Sequence, residues 1–162
     1  MYKVLTSRKI SMALRHRLLV CYVFSVVLYG CETWTLSKVL MDRIEACEMW
    51  FLRRMGKISY KDRITNEEVL KRLNTKRTLL DTIKNRKMRF FGHTKRHDSI
   101  MKNIVEGKLE GTRPKGRPRA QWTDNIKKWS GLSLTTCSRL AEDREQWRQI
   151  SSLPRLRDGT LK

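Results

Sequence analysis

Residues 35–56 read TLSKVLMDRIEACEMWFLRRMG, and the fold class turns on how this stretch is wound. Leu36, Leu40, Ile44, Cys47, Phe51 and Met55 recur at i, i+4, i+8, i+11, i+15 and i+19, a helical spacing that lines one face with apolar groups. Gly56 stands where a glycine ends a helix. The stretch is expected to be a long amphipathic helix. Upstream, Ser7 or Ser11 caps a helix carrying Ile10, Leu14 and Leu18, which runs on through a buried apolar segment to Tyr29 and stops at Gly30. Downstream, Thr65-Asn66-Glu67-Glu68 opens a short helix through Leu73 as a capping box. Thr75 starts another, with Leu79, Leu80, Ile83, Phe90 and Phe91 inward and Lys84, Arg86, Lys87 and Arg89 clustered along the rest. Trp122, Ile126 and Trp129 share a face between a Thr123 cap and a Gly131 stop. A last helix from about Thr135 to Ile150 buries Cys137, Leu140, Ala141, Trp147 and Ile150. No βαβ alternation or internal repeat appears. The expected architecture is all-α, a small irregular helical bundle.

Charge sets the class of partner. The 162 residues hold 36 Lys+Arg against 16 Asp+Glu, a formal net charge of +20. A polyanion relieves that self-repulsion. The excess is concentrated: Lys76 to Arg119 carries 14 cations and 4 acids in 44 residues. Cys21, Cys31, Cys47 and Cys137 are far apart with no C-x-x-C pair, and read as reduced, small apolar residues rather than a disulfide framework. Leu18 to Cys31, LLVCYVFSVVLYGC, follows a basic N-terminus and ends in Leu-Tyr-Gly-Cys, which imitates a lipoprotein signal. Its 14 residues are fewer than the roughly 20 that a membrane-crossing helix needs. The cations spread from Lys3 to Arg17 do not form a compact leader, and bulky Tyr29 stands where a small residue is expected. A buried core helix is the better reading.

Catalytic constellations are missing. The acids are scattered, with no Asp-Asp or D-x-D pair to hold two metals for phosphoryl transfer. Glu67 and Glu68 fit helix N-terminal charge. No G-x-S-x-G, Walker loop or dinucleotide fingerprint occurs. His93 and His97 at i, i+4 could face one metal. The intervening Thr-Lys-Arg supplies no general base, however, and two of those residues repel a cation. The pair reads as a helix-end and a surface histidine. No metal, cofactor or small-molecule substrate is expected.

Residues 113–119, RPKGRPR, form an extended cationic ribbon. Pro114 and Pro118 fix φ and remove N–H groups, while Gly116 allows close backbone approach. Lys115-Gly116-Arg117-Pro118-Arg119 resembles the centre of a minor-groove AT-hook, with Lys in place of its first Arg. The bland alternative is a solvated linker between helices. The net charge favours nucleic-acid contact.

Taken in order, LYGCETWTL at 28–36, IEACEMWFLRRM at 44–55, DRITNEEVL at 62–70, IKNRKMRFFGH at 83–93, GRPRAQWTDNIKKWSGLS at 116–133 and LAEDREQWR at 140–148 resemble the C-terminal part of endonuclease–reverse transcriptases from non-LTR retrotransposons, jockey-like or RTE-like. The resemblance runs from about Arg8 to about Ile150. It implies a helical thumb that follows the polymerase palm and lies along the template–primer duplex, then a basic tail. The palm's paired aspartates and the N-terminal endonuclease have no counterpart here. The chain is therefore expected to be a fragment, from a truncated element copy or a domesticated gene, and not an enzyme by itself.

These readings divide the chain into a thumb-like region at 1–98, a basic irregular connector at 99–121 and a C-terminal helical tail at 122–162. The expected partner is nucleic acid, as an RNA–DNA hybrid or an RNA or DNA duplex, with no membrane, inside the cell in nucleus or cytoplasm. Lys84, Arg86, Lys87, Arg89, Lys95 and Arg96 are the expected phosphate contacts from one helix and its end. Arg113, Lys115, Arg117 and Arg119 are those from the ribbon. Trp34, Trp50, Trp129 and Trp147 read as core rather than as base-stacking platforms. The alternatives are an AT-hook-like chromatin protein and an element relic with no function.

Overall fold

A computed structural model describes residues 2–7, 9–107, 116 and 120–152, and among them every regular element is helical. The all-α bundle read from the sequence is what forms. Packing divides it into two units, Met1–Cys31 with Lys38–Thr82, and Glu32–Ser37 with Ile83–Lys162. This division follows packing, whereas the expected segments followed composition.

The first unit opens with α1 (Tyr2–Leu5) and α2 (Met12–Leu18), whose N-cap is Ser11: its hydroxyl accepts from Leu14 N–H at 3.3 Å. The chain then winds as a π-helix over Leu19–Phe24 before α3 (Ser25–Val27). The i→i+5 bonding of a π turn widens the winding, so residues five apart come onto one side. Leu19, Phe24 and Leu28 are buried while Tyr22, Val26 and Tyr29 are 62%, 73% and 87% exposed. The apolar run is thus half buried rather than buried all round.

The long helix α4 spans Lys38–Gly56 and buries Met41, Ile44, Glu48, Met49, Leu52 and Met55. Leu36 precedes it and Cys47 is exposed, so the true face is rotated from the expected stripe. Its left-handed terminal residue is Lys57 (φ 54), not Gly56. Ile58 N–H bonds Arg53 O at 2.9 Å and Lys57 N–H bonds Arg54 O at 3.2 Å, closing a Schellman-type end. Gly56 serves packing instead, since a Cβ there would lie 3.1 Å from Leu73 Cδ2. Thr65 caps α5 (Asn66–Arg72) as read, accepting from Glu68 N–H at 3.3 Å.

Glu48 explains the rotation of α4. It is 1% exposed, and its carboxylate accepts from Thr78 N–H at 2.8 Å and Leu79 N–H at 3.2 Å. Those N–H groups open α6 (Leu79–Arg96) and have no partner within their own helix. An acid of one helix therefore caps another. Burial pushes its pKa up, and the hydrogen bonds from Thr78 and Leu79 oppose that rise.

In the second unit, α7 (Ile100–Glu106) forms inside the segment expected to be irregular, and ends on Gly107 at φ 69. Next come α8 (Trp122–Ser130), α9 (Leu134–Glu142) and α10 (Arg144–Ser152). The N-cap of α8 is Gln121, not Thr123: Asp124 returns the bond by accepting from Gln121 N–H at 2.7 Å. Gly131 ends α8 as expected, at φ 69. The single helix expected from Thr135 to Ile150 is broken at Asp143, whose backbone is extended. Its Oδ1 accepts from Glu145 N–H at 2.8 Å and Gln146 N–H at 3.1 Å, so an aspartate, rather than a glycine or proline, starts α10.

At the centre of this unit, Lys87 of α6 is 0% exposed. Its ammonium donates to Trp34 O at 2.6 Å and Asn125 Oδ1 at 2.7 Å, with the Trp122 and Trp129 rings 4.6 and 5.7 Å away. Asn125 of α8 also pairs with the backbone of Leu36, accepting its N–H at 2.8 Å and donating to its C=O at 2.8 Å. Trp122 Nε1 donates to Glu32 O at 2.8 Å. The segment at 32–37 is thereby fastened to α6 and α8 through polar groups. Around them lie the apolar side chains Ile83, Met88, Phe91, Ile126, Trp129, Cys137, Ala141 and Trp147, all buried.

Two outcomes follow. Glu48→Ala leaves two N–H groups at the start of α6 without an acceptor and should lower stability by about 1–3 kcal/mol. Glu48→Gln, which keeps an acceptor oxygen, should lose less; urea unfolding of the pair measures both. Lys87 gives a pH signature. Burial pushes its pKa down to about 7, against the indole faces, which favour the cation. In the unfolded chain a lysine titrates near 10.4, so between about 7 and 10 the unfolded state holds more protons. The penalty for burying the charge is therefore full below about 7 and fades as pH rises. Stability should climb with pH across that window, by at most about 1.4 kcal/mol per pH unit for one proton. Lys87→Met should flatten the climb in unfolding curves at pH 6.5, 8 and 9.5.

Candidate nucleic-acid interface

The basic helix α6 sorts its cations by residue type. Lys84, Lys87 and Lys95 are 4%, 0% and 6% exposed, while Arg86 and Arg89 face solvent and Arg96 is half-buried. The lysines lie on the same face as Ile83, Met88 and Phe91, where long aliphatic stems pack and only the ammonium needs a partner. Lys95 Nζ sits 5.7 Å from the Phe91 ring centroid. Lys87, expected to contact phosphate, is enclosed and holds the unit together. The correction has a plain cause: at i+4 from Ile83 and i−4 from Phe91, position 87 falls on the buried stripe. Arg86 lies 3.7 Å from the Glu32 carboxylate. Arg113, Lys115, Arg117 and Arg119 lie outside the described residues, so the ribbon has no structural account here.

Arg89 and Arg96 belong to a cleft of about 440 Å3 whose other wall is α10. Asn85, Arg89 and Arg96 contribute from α6, and Arg144, Trp147, Arg148, Ser151 and Ser152 from α10. Four arginines line it, and among the described residues no carboxylate does. Asp143 and Glu145 flank Arg144 in sequence, and the exposed contact of Glu145 to Arg148 at 3.9 Å is too solvated to neutralise much. Arg96 is oriented by its bond to Ala141 O at 2.7 Å. Planar guanidinium forks suit phosphate oxygens, and Asn and Ser side chains add neutral donors.

The cleft exists because α10 comes unusually close to α6. Gly92 makes the approach: a Cβ there would lie 2.3 Å from Trp147 Cδ1. Trp147 is 2% exposed, stacks tilted on Phe91 at 5.1 Å, and donates from Nε1 to Met88 O at 2.8 Å. Arg144 and Arg148 stand three residues before and one after this anchor, which aims both along the same wall. The sequence reading missed them because LAEDREQWR mixes cations with acids and looks like a solvated face. The readable signal was Arg144, Trp147, Arg148 and Ser151 at i, i+3, i+4 and i+7.

One tryptophan departs from expectation. Trp129 and Trp147 are buried and Trp34 is half-buried, but Trp50 is 50% exposed. The His93 and His97 rings lie tilted against each other, centroids 4.2 Å apart, on the exposed side of α6. Among the described residues no group of three His, Cys, Asp or Glu side chains is placed to hold a metal ion, and no helix is long and apolar enough to cross a membrane. All four cysteines are unbridged, Cys31 and Cys137 buried and Cys21 and Cys47 exposed.

No family model matches the chain, and no solved structure does. It is similar to an uncharacterized transposon-derived protein of Caenorhabditis elegans, 27% identical over 137 residues, a match covering 77% of this chain and 49% of the relative. The chain thus spans about half the length of the curated relative it matches, and the similarity points to transposon ancestry.

Proposed function

We propose that the chain is a non-catalytic nucleic-acid-binding segment from the C-terminal region of a retrotransposon reverse transcriptase, which grips a template–primer duplex by its phosphates. The observation that carries this reading is the four-arginine cleft between α6 and α10, lined by no carboxylate among the described residues, in a chain of net charge +20. Similarity to a transposon-derived protein supports the ancestry, and the ordered sequence blocks support the finer reading. In this role the chain performs no chemistry: Arg89, Arg96, Arg144 and Arg148 bind phosphate oxygens, and Asn85, Ser151 and Ser152 donate or accept around them. A phosphate grip of this kind fixes position and orientation without reading sequence. The proposed setting is intracellular, in nucleus or cytoplasm.

Salt titration tests it. Each phosphate contact adds about −0.9 to the slope of log affinity on log salt for B-form DNA, so four contacts give about −3.6. Replacing Arg144 and Arg148 together by Ala should make the slope shallower by about 2 and weaken RNA–DNA hybrid, A·T-rich and G·C-rich duplexes alike. Gly92→Ala removes no charge, yet should weaken the same binding and destabilise the fold by about 1–3 kcal/mol, because the added methyl pushes Trp147 and α10 outward. Primer-extension assays should show no incorporation. A slope that the double replacement leaves unchanged would sink the proposal.

A further inference from the structure

A second cleft, in the other unit, has a different chemistry. About 620 Å3 in volume, it is lined among others by Trp50, Arg54 and Lys57 around the end of α4 and by Ser59 and Tyr60 beyond it. The volume falls within the roughly 300–1,000 Å3 of small-ligand sites. Trp50 is 50% exposed and Tyr60 83%, on a chain whose other indoles are largely sheltered. Among the described residues no carboxylate lines the cleft.

The Trp50 ring is held in place, and so is the backbone turn that carries Tyr60. Trp50 meets the edge of Phe51 at 5.0 Å, and Phe51 in turn meets Phe24 at 6.4 Å. Tyr60 rides on a 3₁₀ turn (Tyr60–Asp62) closed by a capping box, with Asp62 accepting from Ser59 N–H at 2.7 Å. The chain after that turn is tied to α4 by Arg53, which donates to Ile64 O at 2.7 Å and Asn66 Oδ1 at 2.9 Å. Arg54 lies over the Trp50 ring at 4.8 Å. Cations beside exposed, anchored aromatic faces are the physical elements of a single-strand site: a base stacks on the ring while its phosphate meets the cation.

We infer that this cleft binds an unpaired nucleotide of a nucleic-acid strand, with its base against Trp50 or Tyr60 and its phosphate against Arg54 or Lys57. Paired bases hide their faces against their neighbours, so the rings select the unpaired state. The inference rests on the nucleic-acid reading above but concerns a separate site with a separate signature, dependence on the base rather than on charge alone.

The test uses the full chain and two eight-nucleotide strands of equal charge, oligothymidylate and an abasic strand of the same length, followed by fluorescence anisotropy at several salt concentrations. The wild-type chain should prefer the strand with bases by about five- to a hundredfold, the size of one stacking contact. Trp50→Ala should bring that ratio close to one while the salt slope stays as it was. Trp50→Phe, which keeps a ring, should retain most of the preference, and Tyr60→Ala should reduce it. Because Trp50 is half exposed and Tyr60 more so, unfolding midpoints should move little; if Trp50→Ala is unfolded, the Trp50→Phe and Tyr60→Ala results decide. Equal affinity of the wild type for both strands, or a preference that the ring removals leave intact, overturns the inference while leaving the arginine cleft untouched. Base preference that persists when replacing Arg144 and Arg148 has no effect on the salt slope supports this site and counts against the proposed duplex grip.

Discussion

The second unit depends on one buried lysine nitrogen. Lys87 bonds two carbonyl-type oxygens, Trp34 O and Asn125 Oδ1, and Asn125 imitates a strand partner for the backbone of Leu36. The segment at 32–37 has no regular structure of its own beyond a short 3₁₀ turn over Cys31–Thr33. Its backbone groups would otherwise be left without partners beside an apolar core, where each unpaired group costs about 1–3 kcal/mol. One lysine and one asparagine satisfy several of them at once. Removing either partner leaves the other buried and underbonded, which makes such knots strict about geometry. The same arrangement places Phe90 and Phe91 near Trp122, at 6.1 and 6.3 Å, and so sets how α6 meets α8.

Helix content was legible in the sequence because apolar spacing at 3.6 residues is hard to imitate. The Ser11, Thr65 and Gly131 end signals also held. Where the reading went astray, a polar residue was at work inside, or the winding changed. Glu48 and Lys87 look like surface residues by type, yet both are buried as partners for backbone groups of other segments, and that partnership is a tertiary fact. Asp143 splits one helical pattern into two by capping the second. The π turn at Leu19–Phe24 breaks the 3.6-residue count itself, which is why an apolar run read as fully buried presents Tyr22 and Val26 to solvent.

The candidate site was legible in part. Total charge pointed to a polyanion, and α6 was correctly singled out as basic. Which cations face outward was not readable from clustering, because lysine can lie along a core with its ammonium bonded while Arg86 and Arg89, on the opposite side, face solvent. Arg89 and Arg96 were among the expected contacts; Arg144 and Arg148 join them only through the close approach that Gly92 permits. That Trp50 faces solvent likewise follows from the phase of α4, which Glu48 sets.

The arrangement of α10 has a dynamic consequence. It is nine residues long, and Trp147 and Ser151 are its buried side chains. A helix of that length is marginal alone in water, so its winding depends on docking through the Trp147 ring. Half of the cleft's arginines ride on it. An undocked α10 would open half of the cleft, so the cleft is complete only in the docked fraction. Any polyanion that prefers the complete cleft draws α10 inward by mass action, and its apparent affinity is scaled by the docked population. Amide exchange in α10 should slow as the cleft fills, which couples occupancy of the site to the folding of one short helix.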